Sequence, residues 1–251
     1  MEDWMENARM IVDSARAIVP ADGDLSRVRA ARGKGIDRAM MAEAGELGLF
    51  LMRVPEEAGG LGLGMREACE LMQVLGGGLT PEPIGSTIMA AALLGEAFPE
   101  EAASGAKVMV TAWQDDAASL RFEGGAADGG LHGVKIAVPD DADFFAVLTG
   151  AGVAVVPRDA PGVTITAADT LDGGRIATLR LEKVAAELFP CPQAAAVIQD
   201  AVLMHSAYLL GLSDRAFNIT LDYLKVREQF GRPIGSFQAL QHRATEIKIR
   251  I

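Results

Sequence analysis

Apolar residues recur at helical spacing through the first 105 residues of the chain. One stripe begins at Trp4 and ends before Pro20, which cannot continue a helix. Three further helical runs follow, and a Pro-rich break over residues 80–83 separates the last two. Their approximate limits are 36–49, 68–75 and 88–98. Residues 1–105 are therefore predicted to form an N-terminal helical domain.

The pattern changes to short β-type runs over residues 106–190. Turn signals such as Asp172-Gly-Gly174 separate the runs, and no helical run of ten or more residues interrupts them. A middle domain built as an antiparallel β-sandwich or barrel is predicted. The expected strands are 107–113, 133–138, 144–148, 153–156, 163–166 and 176–181.

Helical spacing returns from about residue 191, with one apolar face running to Val226 and a second helix after a corner near residue 235. The fold class predicted is thus α+β and multi-domain, with residues 191–251 forming the start of a C-terminal helical bundle. Bundles usually need four helices to bury such faces. Two helices predict an incomplete bundle, to be completed by further residues or by a partner.

Charge and composition exclude several classes of function. The net charge of −11 and the pI near 4.8 argue against a nucleic-acid partner, because phosphate backbones bind basic surfaces. Cys69 and Cys191 have no metal-site spacing and form no disulfide framework. No continuous apolar run of about 18 residues and no basic–apolar leader occurs, so neither a membrane partner nor secretion is expected. A cytoplasmic protein is predicted.

The candidate chemistry lies in the corner between the last two helices, residues 227–243. Gly231 can close a helix in the left-handed conformation, and Ser236 can cap the next one. Guanidinium and amide donors crowd this corner, and such donors suit a phosphate or an adenine edge. A solvated helix corner without function is the alternative. The donors are Arg227, Gln229, Gln238, Gln241 and Arg243.

The run Arg227-x-Gln229-Phe230-Gly231-x-Pro-Ile-Gly-x-Phe-Gln238-x-x-Gln resembles the signature of the C-terminal helical domain of acyl-CoA dehydrogenases. The segment 55–62, Pro-Glu-Glu-Ala-Gly-Gly-Leu-Gly, resembles a loop of the N-terminal domain of that family. The resemblance implies that Arg227 and Gln238 bind the diphosphate and adenosine end of FAD across a subunit interface. Gln229, Phe230 and Gly231 belong to the same implied cofactor site.

The resemblance also implies α,β-dehydrogenation of an acyl-CoA thioester, with a carboxylate base and hydride transfer to flavin N5. No base is found: the position used by a minority of the family falls at Ala201, and the neighbouring CoA-binding position falls at Val202. Asp200 points about 100° around the helix from Ala201. The flavin-ring region is altered too, with Asp115-Asp116 and Ile136 at expected contact positions. Two acidic side chains there would disfavour an anionic flavin.

Three functions stay open at this level. The first is an FAD-dependent acyl-CoA dehydrogenase, a homodimer or homotetramer that passes electrons to an electron-transfer flavoprotein. The second is a non-catalytic subunit that pairs with a complete acyl-CoA dehydrogenase and contributes Arg227 and Gln238 to its FAD. The third is a flavin monooxygenase of the same fold, which the retained adenosine-end residues disfavour because FMN has no adenosine. The acyl group is not specified.

Overall fold

A computed structural model describes residues 3–19, 26–118, 120, 122, 125–127, 130–170 and 174–251. Helices occupy the first part of the chain, two β-sheets the middle and two helices the end. This is the predicted α+β order of elements, and the fold class is confirmed. The domain limits at residues 105 and 190 stay predictions.

Six α-helices are present in the described residues of the N-terminal part. Asp37 begins α3, where its carboxylate accepts hydrogen bonds from the backbone N–H groups of Ala39 and Met40. Helix α5 is apolar on nearly every side and lies at the centre of the fold, because other elements cover it all round. The helices are α1 Asp3–Ile18, α2 Ser26–Ala31, α3 Arg38–Glu46, α4 Met65–Gly77, α5 Ile84–Leu94 and α6 Glu100–Ala103.

Within the described residues, the middle part contains eight strands in two four-stranded sheets, with orders β1-β4-β5-β8 and β2-β3-β7-β6. All six expected strands are present, and β2 and β8, of two residues each, were not predicted. The pairing of β1 with β4 is parallel, which corrects the expectation of a wholly antiparallel domain. The strands are β1 Met109–Ala112, β2 Ala126–Ala127, β3 Gly130–Pro139, β4 Phe144–Thr149, β5 Gly152–Pro157, β6 Val163–Asp169, β7 Arg175–Val184 and β8 Leu188–Phe189.

The turn between β3 and β4 is fixed by a buried carboxylate. Asp140, whose side chain is 1% exposed, accepts a hydrogen bond from Arg158 Nη2 at 2.7 Å and lies 3.1 Å from Arg175 Nη1. Burial alone would raise the pKa of Asp140. Hydrogen bonds from Arg158 and the backbone of Asp141, with both guanidinium charges, outweigh burial and hold that pKa below its ordinary value. The turn is thus held by ionised groups at neutral pH.

Helix α7, Ala194–Val226, is 33 residues long and packs against α4 and α5. Two glycines bring α7 and α4 into backbone contact. A Cβ on Gly76 would lie 2.0 Å from the Tyr208 carbonyl oxygen, and one on Gly211 would lie 2.0 Å from the Gln73 carbonyl oxygen. Any larger residue at these positions would force the two helices apart. The close contact holds the C-terminal helix pair on the N-terminal helices.

Among the described residues, α7 is long and apolar enough to cross a membrane by length and composition. The sequence prediction that no segment spans a membrane considered only continuous apolar runs. Helix α7 is apolar on average although polar residues interrupt it, because few of those residues are charged. Core helices pass the same test, and α7 packs on α4 and α5. The absence of a membrane partner stays a prediction.

The outer surface of α7 and of α8, Gln238–Arg250, is apolar at many exposed positions. Single exposed apolar residues are ordinary on protein surfaces, but a series along two adjacent helices marks a contact surface. We call this series the outer face. It consists of Leu203, Leu210, Ile219, Tyr223, Val226, Ile247 and Ile249. The outer face is what an incomplete helical bundle is expected to expose.

Candidate functional site

The corner after α7 is a β-hairpin. The helix ends at Val226, and the backbone N–H of Arg227 donates to the Tyr223 carbonyl at 2.9 Å. Strands β9, Glu228–Gln229, and β10, Arg232–Pro233, then pair antiparallel. Phe230 and Gly231 form the turn with φ of 55° and 75°, as a two-residue hairpin requires. Gly231 therefore closes a hairpin rather than the helix, which corrects the sequence prediction.

The predicted cap at Ser236 is also wrong. Helix α8 begins after Phe237, which occupies the N-cap position without a side-chain hydrogen bond. The Ser236 hydroxyl instead donates to the Pro233 carbonyl at 2.7 Å and fixes the short 3₁₀ turn Ile234–Ser236. The local reason is that Ser236 lies one residue too early to reach the free N–H groups of the first turn of α8.

The polar residues of the corner fall into two groups, those that hydrogen-bond to the chain itself and those that do not. Gln229 Nε2 donates to the Glu228 carbonyl, and Gln241 Nε2 donates to the Gly235 carbonyl, so both amides support the hairpin itself. Within the described part of the chain, the side chains of Arg227 and Gln238 have no hydrogen-bond or ion-pair partner, and both are exposed. They are the two residues that the family resemblance assigns to FAD.

Aromatic contacts stiffen the same corner. The rings of Phe230 and Phe237 meet edge-to-face with centroids 6.1 Å apart, and the Arg232 guanidinium lies 4.3 Å above the Phe237 ring. Phe230 is nevertheless 93% exposed, the highest value among the large apolar side chains described. A hairpin tip that exposes a phenylalanine beside free cationic and amide donors is suited to contact another molecule.

A cavity of about 420 Å³, here called cavity A, lies between α5, α7 and strands β1 and β3. Its walls are mainly apolar, which is typical of a small-molecule site. The lining residues are Ser86, Met89, Thr111, Trp113, Gln114, Ile136, Ala137, Pro139, Ile198, Ala201, Val202, His205, Ser206 and Leu209. Ala201, Val202 and Ile136, which the sequence singled out as altered positions, all lie in this one cavity.

The carboxylate base is absent from the described wall of cavity A, since no Asp or Glu is among its lining residues. Asp200 lines a different cavity, where it accepts a hydrogen bond from Arg53 Nη2 at 2.7 Å. His205 is the one imidazole in cavity A. Its Nδ1 lies 2.7 Å from the Ala201 carbonyl, so that Nδ1 carries the proton. Asp200 thus points away from cavity A, as expected from its position about 100° around the helix from Ala201.

An ion pair between the buried Lys135 and the half-buried Asp115 supports the wall of cavity A, and the sequence did not predict it. Lys135 is 1% exposed, and its Nζ donates to Asp115 Oδ1 at 2.6 Å and to the Trp113 carbonyl at 3.2 Å. Burial lowers the pKa of Lys135, while the hydrogen bond and the charge of Asp115 act in the opposite direction. The Lys135 ammonium thereby balances the charge of Asp115, one of the two acidic residues expected to disfavour an anionic flavin.

Two further polar contacts lie around cavity A. The hydroxyls of Ser86 and Thr111 are 2.9 Å apart, and the Ile136 N–H donates to the Gln114 carbonyl at 2.9 Å. A bulge in β3 between Lys135 and Val138 gives Ala137 a φ of 53°, a conformation that is strained for alanine. The strained residue lies in the part of β3 that lines cavity A.

Cavity A and the corner lie far apart along α7. Arg227 follows Leu209, the last lining residue of cavity A, by 18 positions, and none of the corner residues lines the cavity. At 1.5 Å per residue this separation is about 27 Å along the helix axis. One chain therefore presents two separate surfaces, an apolar cavity and an exposed donor corner.

The donor set of the corner fits the diphosphate and adenosine end of FAD. A guanidinium binds phosphate oxygens through two N–H groups, and an amide offers both a donor and an acceptor to an adenine edge. Arg227 and Gln238 are exposed and uncommitted within the described chain, as such contacts require. Around cavity A, by contrast, the side-chain and backbone polar groups described above are already paired.

Comparison with known proteins agrees with this arrangement. The family model for the acyl-CoA dehydrogenase N-terminal domain matches residues 5–102, and that for the C-terminal domain matches residues 192–251. Together the two models cover more than half of the chain. The chain belongs to the acyl-CoA dehydrogenase family. Members of this family are oxidoreductases and flavoproteins that use FAD.

Individual proteins are similar to this chain in sequence or in structure. Acyl-CoA dehydrogenase IpdE2 of Mycobacterium tuberculosis is 29% identical over 253 residues, which cover 98% of this chain and 72% of that protein. The Tcur3481-Tcur3483 steroid ACAD superposes with a TM-score of 0.81 at 28% identity, covering 99% of this chain and 73% of the other. The ChsE4-ChsE5 complex from Mycobacterium tuberculosis gives 0.77 at 25% identity, covering 98% of this chain and 73% of the other.

Proposed function

We propose that this chain acts in the α,β-dehydrogenation of an acyl-CoA thioester, within an assembly that binds FAD. The observation that supports this function best is the corner, where Arg227 and Gln238 are exposed beside a rigid aromatic hairpin tip. FAD, when bound, supplies the acceptor for the hydride. The part of this chain is to hold the diphosphate and adenosine end of that cofactor.

Cavity A is proposed to receive the acyl group. Its apolar walls on α5 and α7 can remove an acyl chain from water, and the paired Ser86 and Thr111 hydroxyls avoid leaving buried polar groups unsatisfied. The base for the α-proton is proposed to come from outside the described wall, because Ala201 has no acidic group and Asp200 is bonded to Arg53. An electron-transfer flavoprotein is the proposed electron acceptor.

A specific observation favours a second function, that of a partner subunit. The described wall of cavity A lacks a carboxylate, whereas the donor corner is intact. A chain of this kind contributes Arg227 and Gln238 to FAD held mainly by a complete acyl-CoA dehydrogenase subunit. The outer face on α7 and α8 supplies apolar surface for such an assembly. Two of the structural relatives are named as pairs, Tcur3481-Tcur3483 and ChsE4-ChsE5.

A dehydrogenation assay tests the proposal and separates its two forms. Purified chain is supplied with FAD, an acyl-CoA thioester and an artificial electron acceptor, and formation of the α,β-unsaturated thioester is measured. We expect product from the native assembly. Activity of the chain alone supports a self-sufficient dehydrogenase, and activity only after addition of a complete acyl-CoA dehydrogenase subunit from the same cells supports the partner function.

The native assembly, purified from its own cells so that any partner is retained, provides the decisive control. If it carries FAD but oxidises no acyl-CoA thioester across a panel of short, long, branched and ring-bearing acyl groups, the proposed dehydrogenation is contradicted. The flavin monooxygenase alternative predicts oxygen-dependent product instead. Measuring product under air and under nitrogen, with the artificial acceptor present in both, distinguishes these reactions.

A further inference from the structure

Cavity A contains an imidazole that the proposed function does not use. His205 lies on α7 four residues after Ala201, and both residues line the cavity because positions four apart share one face of a helix. The His205 Nδ1 donates to the Ala201 carbonyl at 2.7 Å. A neutral imidazole carries a single N–H, so that Nε2 is left with a lone pair and acts as a hydrogen-bond acceptor.

The ring of His205 is held between two helices. Its Nδ1 is bonded to α7, and its Cε1 lies next to α5, where a Cβ built on Gly85 would be 3.9 Å away. The Met72 Cε would lie 3.0 Å from the same Cβ, so the space beside the ring is filled. The acceptor is therefore oriented before a ligand arrives, and little conformational entropy is lost when a ligand bonds to it.

The Nε2 atom of His205 has no hydrogen-bond or ion-pair partner within the described part of the chain. The hydroxyls that line cavity A differ from it, because Ser86 and Thr111 bond to each other and Ser206 donates to a carbonyl of its own helix. The Gln114 amide also lines the cavity, but an amide can donate as well as accept. Nε2 can only accept, so it distinguishes donors from acceptors on a ligand.

An acceptor in a mainly apolar cavity discriminates between ligands. A neutral O–H or N–H group that leaves water needs a new acceptor, and Nε2 provides one. A carboxylate has only acceptor oxygens, so it would face the Nε2 lone pair without forming a hydrogen bond. The described wall therefore favours a ligand that brings a neutral donor next to His205.

We propose that His205 Nε2 accepts a hydrogen bond from a neutral O–H or N–H group of the acyl-CoA thioester, and that His205 thereby selects thioesters that place such a donor in cavity A. This inference rests on the proposed function, which places the acyl group in that cavity. A hydroxyl on the acyl group and an amide N–H of the pantetheine arm are two sources of the donor. His205 is a specificity-determining residue in this account and removes no proton from the ligand.

Nitrogen NMR of the imidazole tests the contact directly. The native assembly is labelled with ¹⁵N-histidine, and the signals that are missing from a His205→Phe assembly assign His205. We expect a protonated Nδ1 and an unprotonated Nε2 before ligand is added. Hexanoyl-CoA and its four derivatives with one hydroxyl on carbons three to six are then added to the flavin-free form, which cannot turn them over. A donor that bonds to Nε2 should move the Nε2 resonance of His205 upfield and leave that of the exposed His242 unchanged.

Dissociation constants from calorimetry on the same flavin-free assembly identify the source of the donor. If it is an acyl hydroxyl, His205→Phe should raise the Kd of one hydroxylated derivative about fivefold and that of hexanoyl-CoA less than twofold. If it is a pantetheine amide, all five Kd values should rise about fivefold. His205→Gln, which keeps an acceptor, should restore binding to within twofold. His242→Phe is the matched control, because His242 is exposed and lines no described cavity, and it should change no Kd by more than twofold.

Several results would overturn the inference while the proposed function stands. They are a proton on Nε2 in the free protein, an Nε2 resonance that does not move when thioesters bind, and a His205→Phe assembly whose Kd values all stay within twofold. Affinity lost in His205→Phe and not restored in His205→Gln would show that the ring only packs, which also overturns it. If no thioester binds to the native assembly with or without flavin, the proposed function fails and the inference fails with it.

Discussion

Replacing Asp115 by alanine is expected to destabilise the chain by about 3–5 kcal/mol, because it leaves the buried ammonium of Lys135 without its counter-charge. The Trp113 carbonyl is then its only described hydrogen-bond acceptor. For a chain of this length, a loss of 3 kcal/mol lowers the melting temperature by about 6–12 °C. Thermal unfolding followed by circular dichroism measures the shift.

The double variant Asp115→Ala with Lys135→Met makes this prediction specific to the ion pair. Because methionine fills much of the same space without a charge, the double variant should be more stable than Asp115→Ala alone. Asp116→Ala is the matched control, since Asp116 is the exposed neighbour and accepts a hydrogen bond from the Ala118 N–H. A double variant less stable than the single one would show that the Lys135 charge itself does not cause the loss.

Arg227→Ala is expected to weaken FAD binding by the native assembly about 10- to 100-fold, the effect of losing a hydrogen-bonded charge contact to phosphate. The melting temperature without FAD should stay unchanged, because Arg227 is exposed and bonded to no described side chain. Titration of the flavin-free assembly with FAD, followed by flavin fluorescence, gives the two Kd values. Gln238→Ala should have a smaller effect in the same direction.

Lys225→Ala controls for the loss of any cation at this end of α7. Lys225 is exposed two residues before Arg227 and bonds to Asp222 at 2.9 Å, so its removal should change the FAD Kd less than twofold. Two results would remove Arg227 from the cofactor site. One is an Arg227→Ala assembly that binds FAD as tightly as the unchanged protein, and the other is weaker binding accompanied by a lower melting temperature without FAD.

The periodicity of apolar residues predicted most of the secondary structure. Helix α7 and the six longer strands appear close to their expected limits, because each has a continuous amphipathic or apolar run with clear turn signals at its ends. The two-residue strands β2 and β8 could not be predicted, because they form only where a neighbouring strand offers a partner. The parallel pairing of β1 with β4 could not be predicted either, because it joins segments that are far apart in the sequence.

The corner shows where local signals mislead. A glycine after an apolar helix commonly ends that helix, yet here Phe230 joins Gly231 in the left-handed region and the chain forms a hairpin. Both conformations need a glycine at that position, so the residue alone cannot distinguish them. The exposed arrangement of Arg227 and Gln238 agrees with the donor site expected there, and their role in binding FAD stays a prediction.

The buried Lys135–Asp115 pair was missed for a different reason. Its members are 20 residues apart, on β3 and on the segment after β1, so no local pattern indicates that they pair. The one available signal was a lysine inside an apolar strand, where a charge needs a partner.

The flavin content of the native assembly tests the central claim most directly. The assembly is purified from its own cells, its visible absorption spectrum is recorded, and the flavin released by denaturation is identified by chromatography and counted per chain. The account predicts bound flavin that is released as FAD, at one per chain or one per pair of unlike chains. An assembly that lacks flavin even after incubation with FAD, or that releases FMN instead, would contradict the account.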